Sequence, residues 1–190
     1  SFADRLMEFP TALLGVALHI DDAGHNRVQA TGLAQGFAIG GTALLLGSPG
    51  DDHYRAQTLA QASAGPHGLA LLLDSAGNDR YHLGNDVLVW ASSQLPERNA
   101  SLGQGAGFGL GRPPLPGGVA LLLDAAGHDL YQAQVFAQGA GLRGGTGLLL
   151  DQAGHNHYQA AWYAMGAAAH QGVGLLWAAG IGDDSYEASH

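Results

Sequence analysis

The stretch Leu121-Leu122-Leu123-Asp124-Ala125-Ala126-Gly127-His128-Asp129-Leu130-Tyr131 decides the fold, because the chain repeats it. The same pattern returns in Leu150-Asp151-Gln152-Ala153-Gly154-His155-Asn156, in Leu73-Asp74-Ser75-Ala76-Gly77-Asn78-Asp79 and in Ile20-Asp21-Asp22-Ala23-Gly24-His25-Asn26. Degenerate copies begin at Leu46 and Ala178, with Gly47 and Ala179 where the other copies carry the first Asp. The anchors at 20, 46, 73, 123, 150 and 178 are spaced by 26, 27, 50, 27 and 28 residues. The unit is therefore about 27 residues long, and the wide gap holds an insertion, placed mostly at 84–103 with a smaller piece around 112–116. A repeat of this length is one supersecondary unit that buries its apolar face only by stacking on its neighbours.

Working outward from the turn, a Tyr stands two residues past the second acidic position in five copies (Tyr54, Tyr81, Tyr131, Tyr158, Tyr186), with Val28 in the first. After it the chain alternates with period two: Tyr131, Ala133, Val135, Ala137 on one face, Gln132, Gln134, Phe136, Gln138 on the other. That is strand periodicity. The apolar run before the turn (Ala70-Leu71-Leu72-Leu73 and its equivalents) reads as a second strand. The fold class is therefore all-β, a β-solenoid of the parallel β-helix kind with about six coils. Residues 1–14 are expected to form a short helical cap, and 15–190 the repeat domain. Leu71 and Leu73 are expected to point inward, leaving Leu45, Leu72, Leu122, Leu149 and Leu176 as an outer ladder, and an exposed ladder of leucine needs a partner. A row of Gln35, Gln61, Gln104 and Gln138 is expected to stack amide on amide along the axis.

Composition narrows the function classes. With 7 Lys+Arg against 16 Asp+Glu the formal net charge is −9, which argues against nucleic acid as a partner. There is no Cys, so disulfides and thiol chemistry are excluded. No apolar run is long enough for a membrane span. Nucleophile elbow, phosphate loop and HExxH motifs are all missing, and Gly103-Gln104-Gly105-Ala106-Gly107 lies inside a repeated strand. The balance is against an enzyme.

Three functions stay open. Regularity favours a structural module, a stiff solenoid that pairs or stacks with itself into oligomers or filaments through Leu45, Leu72, Leu122, Leu149 and Leu176. The insertion breaks the repeat, and non-repeated loops on solenoids form binding surfaces. A polysaccharide-binding or glycan-processing site there would draw on His82, Asp86, Glu97 and Arg98 as acid, base and charge-stabilising groups. Finally, stacked turns bring carboxylates into ladders about 4.8 Å apart that repel unless a cation or hydrogen bonds neutralise them. The turn Gly77-Asn78-Asp79-Arg80-Tyr81 resembles the Gly- and Asp-rich calcium repeats of RTX proteins over five or six residues per copy. That resemblance implies calcium at Asp74, Asp79, Asp124, Asp129 and Asp151, in an exported repeat domain. A solenoid rich in Asp and Gly and free of Cys is expected at the bacterial cell surface or outside the cell.

Overall fold

A computed structural model of the chain describes residues 10–111 and 115–189. Strands of successive coils lie parallel and in register, in three six-stranded sheets that run the length of the stack. The leucine sheet holds Val16–Ile20, Thr42–Leu46, Leu69–Asp74, Val119–Asp124, Thr146–Asp151 and Val173–Ala178. The tyrosine sheet holds Arg27–Gln29, His53–Ala56, Arg80–Leu83, Leu130–Gln132, His157–Ala160 and Ser185–Ala188. A third, shorter sheet joins Thr11–Leu13, Phe37–Ile39, Ser63–Ala64, Ala106–Phe108, Gly141–Leu142 and Ala168–Ala169. The expected parallel solenoid of about six coils is what the chain forms. The described residues contain no helix. Of the cap expected at 1–14, residues 1–9 lie outside the described set, whereas Thr11–Leu13 pairs with Phe37–Ile39 as a strand of the solenoid.

In-register parallel stacking places each side chain over its own copy one strand spacing away. Tyr54, Tyr81, Tyr131, Tyr158 and Tyr186 form one column, with successive ring centroids 4.9–5.1 Å apart and planes within 6–9° of parallel. Opposite them, buried in the same cluster, stand Leu45, Leu72, Leu122 and Leu149. The inward faces of the leucine strands are thus Ala70-Leu72-Asp74, Ala120-Leu122-Asp124 and their equivalents. The expectation for this sheet is reversed. Leu72, Leu122 and Leu149 are 0 % exposed, and Leu71, Leu73, Leu121 and Leu123 face out. The run is apolar on both faces, so its alternation carries no phase, and the large side chains are needed inside to meet the tyrosine rings.

The last coil is also offset from the expected alignment. Trp177 pairs with Leu150 and Ala178 with Asp151, so Ala178, not Ala179, occupies the acidic column.

The long alternating strand expected after each Tyr is broken into short pieces by a corner. The residues at the corner adopt left-handed backbone in every coil: Leu33, Leu59, Leu102, Phe136 and Tyr163 in one column, Gln35, Gln61, Gln104, Gln138 and Met165 in the next, φ between 44 and 59°. Gly36, Gly105, Gly139 and Gly166 continue the turn at φ 75–83°. A non-glycine residue pays roughly 1–2 kcal/mol for this conformation. The buried Gln side chains offset it with hydrogen bonds. Gln138 Nε2 donates to Tyr131 O and to Gln159 O of the next coil, both at 3.1 Å. Gln35, Gln61 and Gln104 bracket the same two carbonyls in their coils at 2.9–3.2 Å. Direct amide-to-amide stacking occurs once, from Gln104 Nε2 to Gln61 Oε1 at 3.1 Å. The glutamines are thus braces between coils more than a ladder among themselves.

Replacing Gln138 by Leu, similar in size but without the amide, removes two hydrogen bonds between coils, although Gln159 O keeps the one it accepts from Ala133 N–H at 2.9 Å. Thermal unfolding followed by circular dichroism should show a loss of about 1–3 kcal/mol. An unchanged midpoint would contradict the bracing role.

Candidate functional site: the acidic turns and the inserted loop

The turns place two polar columns side by side, and each is a hydrogen-bonded chain. In the inner column the backbone N–H of one coil donates to the side-chain oxygen of the next: Asn26 to Asp52, Asp52 to Asp79, Asp79 to Asp129, Asp129 to Asn156 and Asn156 to Asp184, at 2.6–2.9 Å. In the outer column the direction reverses. Asp51 N–H donates to His25 Nδ1, Asn78 to Asp51, His128 to Asn78, His155 to His128 Nδ1 and Asp183 to His155 Nδ1, at 2.8–3.0 Å. This explains why the outer position accepts His, Asp or Asn and the inner one Asp or Asn. Each column asks only for an acceptor within reach of a backbone N–H. The stacked His128 and His155 spend their Nδ1 atoms in this chain rather than on a metal.

A third polar column runs inside the leucine sheet. Tyr54 and Tyr81 each donate their hydroxyl to the acid of the following coil, Asp74 and Asp124, both at 2.8 Å. Asp151 Oδ2 accepts from Tyr131 and Tyr158, both at 3.0 Å. Gly47 stands in this column because a Cβ there would collide with Asp74 Oδ2 and the Tyr54 hydroxyl.

The five acids expected as calcium ligands are therefore all buried, at 0–2 % exposure, in the wall of the core. Asp79, Asp124 and Asp129 converge, each offering an oxygen within 4.8 Å of the others. Asp74 and Asp151 stand apart from that group, held by tyrosine hydroxyls. Asp79 Oδ2 and Asp129 Oδ2 have no hydrogen-bond partner, and neither do Asp74 Oδ1 and Asp151 Oδ1. Burial pushes the Asp79 carboxyl up to about 8, with Asp74 and Asp129 adding repulsion. It raises Asp124 and Asp129 as well, each aided by neighbouring carboxylates, and moves Asp74 and Asp151 to about 6. Loss of water disfavours the charged form of each.

The insertion leaves the solenoid after Leu83 and returns at Ala100–Gly103, which already pairs with Val135–Ala137 of the next coil. The loop itself is 84–99, shorter than the expected 84–103. Buried Asn99 closes it, accepting from Val89 N–H and Trp90 N–H at 2.8 and 3.0 Å and donating to Val87 O at 2.7 Å. The four residues expected to share acid and base roles meet different partners, Glu97 through its backbone carbonyl alone. Asp86 is ion-paired with Arg55 and accepts from Gln57, which holds its carboxyl below the usual range. His82 Nδ1 meets Gln132 Oε1 at 3.0 Å, beginning a surface chain through Gln159 to Glu187. Arg98 donates to Gln134 at 2.9 Å, and Asn85 donates to Glu97 O at 2.9 Å. A cavity of about 220 Å³ does lie against the loop, but it is lined by Trp90, Phe136, Tyr163 and Arg143, with none of those four residues in its wall. It went unforeseen because Phe136 and Tyr163 come from different copies of the repeat, at a position where other copies carry Leu, and Trp90 comes from the insertion.

Comparison with known protein families, curated proteins and solved structures finds no match for this chain.

The raised acids set a pH dependence. A carboxyl whose folded pKa lies above its unfolded value of about 3.9 contributes stability that is complete below that value and is lost as pH rises through the folded one. With values from about 6 to about 9 in the core, the protein in chelator should unfold at lower temperature at pH 9 than at pH 5. Asp124→Asn, which keeps an acceptor for Tyr81, should shrink the difference. Stability that rises across this range would contradict the buried neutral acids.

Proposed function

We propose that this chain is a structural, self-associating repeat module, and that the outward face of the leucine sheet is where it pairs with a second copy of itself. One observation supports the reading above the others. Three side chains point outward from each of six strands: Val16, Leu18, Ile20; Thr42, Leu44, Leu46; Leu69, Leu71, Leu73; Val119, Leu121, Leu123; Thr146, Leu148, Leu150; and Val173, Leu175, Trp177. Of these eighteen positions sixteen are apolar, two are Thr and none is charged. Val16 is 83 % exposed, Val173 56 % and Trp177 55 %. A contiguous apolar patch of this extent marks an interaction surface.

Its dimensions suit a second copy. Six strands about 4.8 Å apart and five residue steps of about 3.3 Å give a face of roughly 400–500 Å² in projection. Two such faces together approach the roughly 1,000 Å² expected of a specific interface. Rows of leucine at strand spacing are self-complementary, so a two-fold pairing can interdigitate one ladder with the other as sheets do in a sandwich. The leucines that carry association are thus the outward set, and not Leu45, Leu72, Leu122, Leu149 and Leu176. Further head-to-tail stacking of dimers into filaments, and a place at the bacterial cell surface, are compatible extensions.

Changing Leu71, Leu121 and Leu148 together to Glu should leave a folded solenoid, by circular dichroism, whose mass by light scattering is that of one chain, while the unaltered protein runs as a dimer or larger. The same three changes at Leu72, Leu122 and Leu149 should abolish folding, since each puts an unpaired carboxylate in the core. An unaltered protein that stays monomeric at high concentration would remove the proposal.

A second reading, calcium-dependent folding, is favoured at one place, the Asp79, Asp124 and Asp129 group. Its all-oxygen donors suit a hard cation, and 4.8 Å is about twice a calcium–oxygen distance. Most of its oxygens already accept hydrogen bonds, leaving Asp79 Oδ2 and Asp129 Oδ2 for an ion. If calcium binds there, excess calcium over chelator at pH 7.5 should raise the unfolding midpoint by several degrees, and Asp124→Asn should cancel the rise. An unaltered midpoint leaves the acids to protons alone.

A further inference from the structure

The groove between the inserted loop and the corner of the solenoid is separate from the leucine face and from the acidic turns. We propose that it binds a small apolar carboxylate, with the apolar body against Trp90, Phe136 and Tyr163 and the charge on Arg143.

The groove is built by the fold rather than left over from it. The left-handed corner column reads Leu33, Leu59, Leu102, Phe136, Tyr163. Leu59 and Leu102 are buried, whereas Phe136 and Tyr163 remain half-open, with ring centroids 5.4 Å apart. Trp90, 45 % exposed, is carried to them by the loop. The corner that every coil repeats fixes the two rings side by side, so the wall is set by the fold. Phe108 and Leu142 line the apolar floor.

Charge then selects the ligand class. The chain carries a formal net charge of −9, yet no carboxylate lines this cavity. Arg143 does, and among the described residues its guanidinium has no carboxylate and no hydrogen-bond partner. An unpaired guanidinium beside an apolar wall is a carboxylate receptor, able to form two parallel charge-assisted hydrogen bonds. Gln94 Oε1 already accepts from Ser92 and Ser93 at 3.0 and 2.9 Å, and the polar groups left in the wall include the Tyr163 hydroxyl, the Trp90 indole N–H and the His170 ring, which stand beside Arg143 as further donors to a carboxylate. The volume of about 220 Å³ limits the ligand to a small molecule.

The test uses phenylacetate, its neutral isostere phenylacetamide, and glucuronate, each titrated into the whole chain while the Trp90 indole N–H is followed by NMR. Phenylacetate should give a saturable shift, with phenylacetamide at least tenfold weaker and glucuronate weaker than phenylacetate. Arg143→Gln, at an exposed corner, should bring phenylacetate down to the level of phenylacetamide while leaving the circular dichroism spectrum unchanged. No saturable shift with phenylacetate, equal affinity for acid and amide, or tighter binding of glucuronate would each overturn the assignment. Because the leucine face is on another sheet, failure here leaves the pairing proposal standing, and the reverse.

Discussion

Everything in this molecule depends on in-register parallel stacking, which forces each side chain to live beside its own copy. A residue suits the fold only if a column of it does. Leucine and tyrosine columns satisfy this by packing, and at 4.9–5.1 Å the tyrosine rings gain stacking energy of about 0.5–1.5 kcal/mol per pair beyond the area they bury. Carboxylates satisfy it only if charge is removed or shared. The inner turn column solves the problem geometrically, each carboxylate receiving the backbone N–H of the preceding coil. The acidic column beside the tyrosines solves it through hydroxyl donors. Where the two columns meet, at Asp79, Asp124 and Asp129, donors run short, and a proton or a cation must complete the set.

The same constraint separates structural from functional polarity. The buried aspartates of the turns are consumed by the stack, each by an identifiable donor, so their number is a property of the fold. Groups that the stack does not consume stand out against this order. They are the uncharged outer face of the leucine sheet and the unpaired Arg143 beside Trp90, both at positions where the coil-to-coil pattern demands nothing of them.

Much of the architecture was legible in the chain itself. The spacing of Asp74, Asp124 and Asp151 announced stacked coils, and the alternation of Tyr131, Ala133, Val135 and Ala137 identified a buried face that the structure bears out. The phase of the leucine run was not legible from Leu71-Leu72-Leu73 alone, because leucine serves either side. A subtler signal existed: Thr42 and Thr146 share parity with Leu44 and Leu148, which marks that side as solvent-facing. The corner was hidden as well. Gln104 and Gln138 alternate like strand residues, and their bonds to carbonyls of two coils, which help hold a left-handed backbone without glycine, leave no mark in the sequence pattern. At the insertion, neighbours in sequence have different partners. The side chains of His82, Asp86 and Arg98 bond to Gln132, Arg55 and Gln134, while the groove draws its walls from residues up to 80 positions apart, Trp90 to His170.

The most direct test of the account is to label the leucine methyl groups and measure their relaxation by a water-soluble paramagnetic probe over a dilution series. The inner methyls of Leu72, Leu122 and Leu149 should be shielded at every concentration, and those of Leu71, Leu121 and Leu148 shielded when concentrated but accessible when dilute. Outer methyls that the probe reaches at all concentrations would contradict pairing through this face, and relaxation of the inner set would contradict the stack itself.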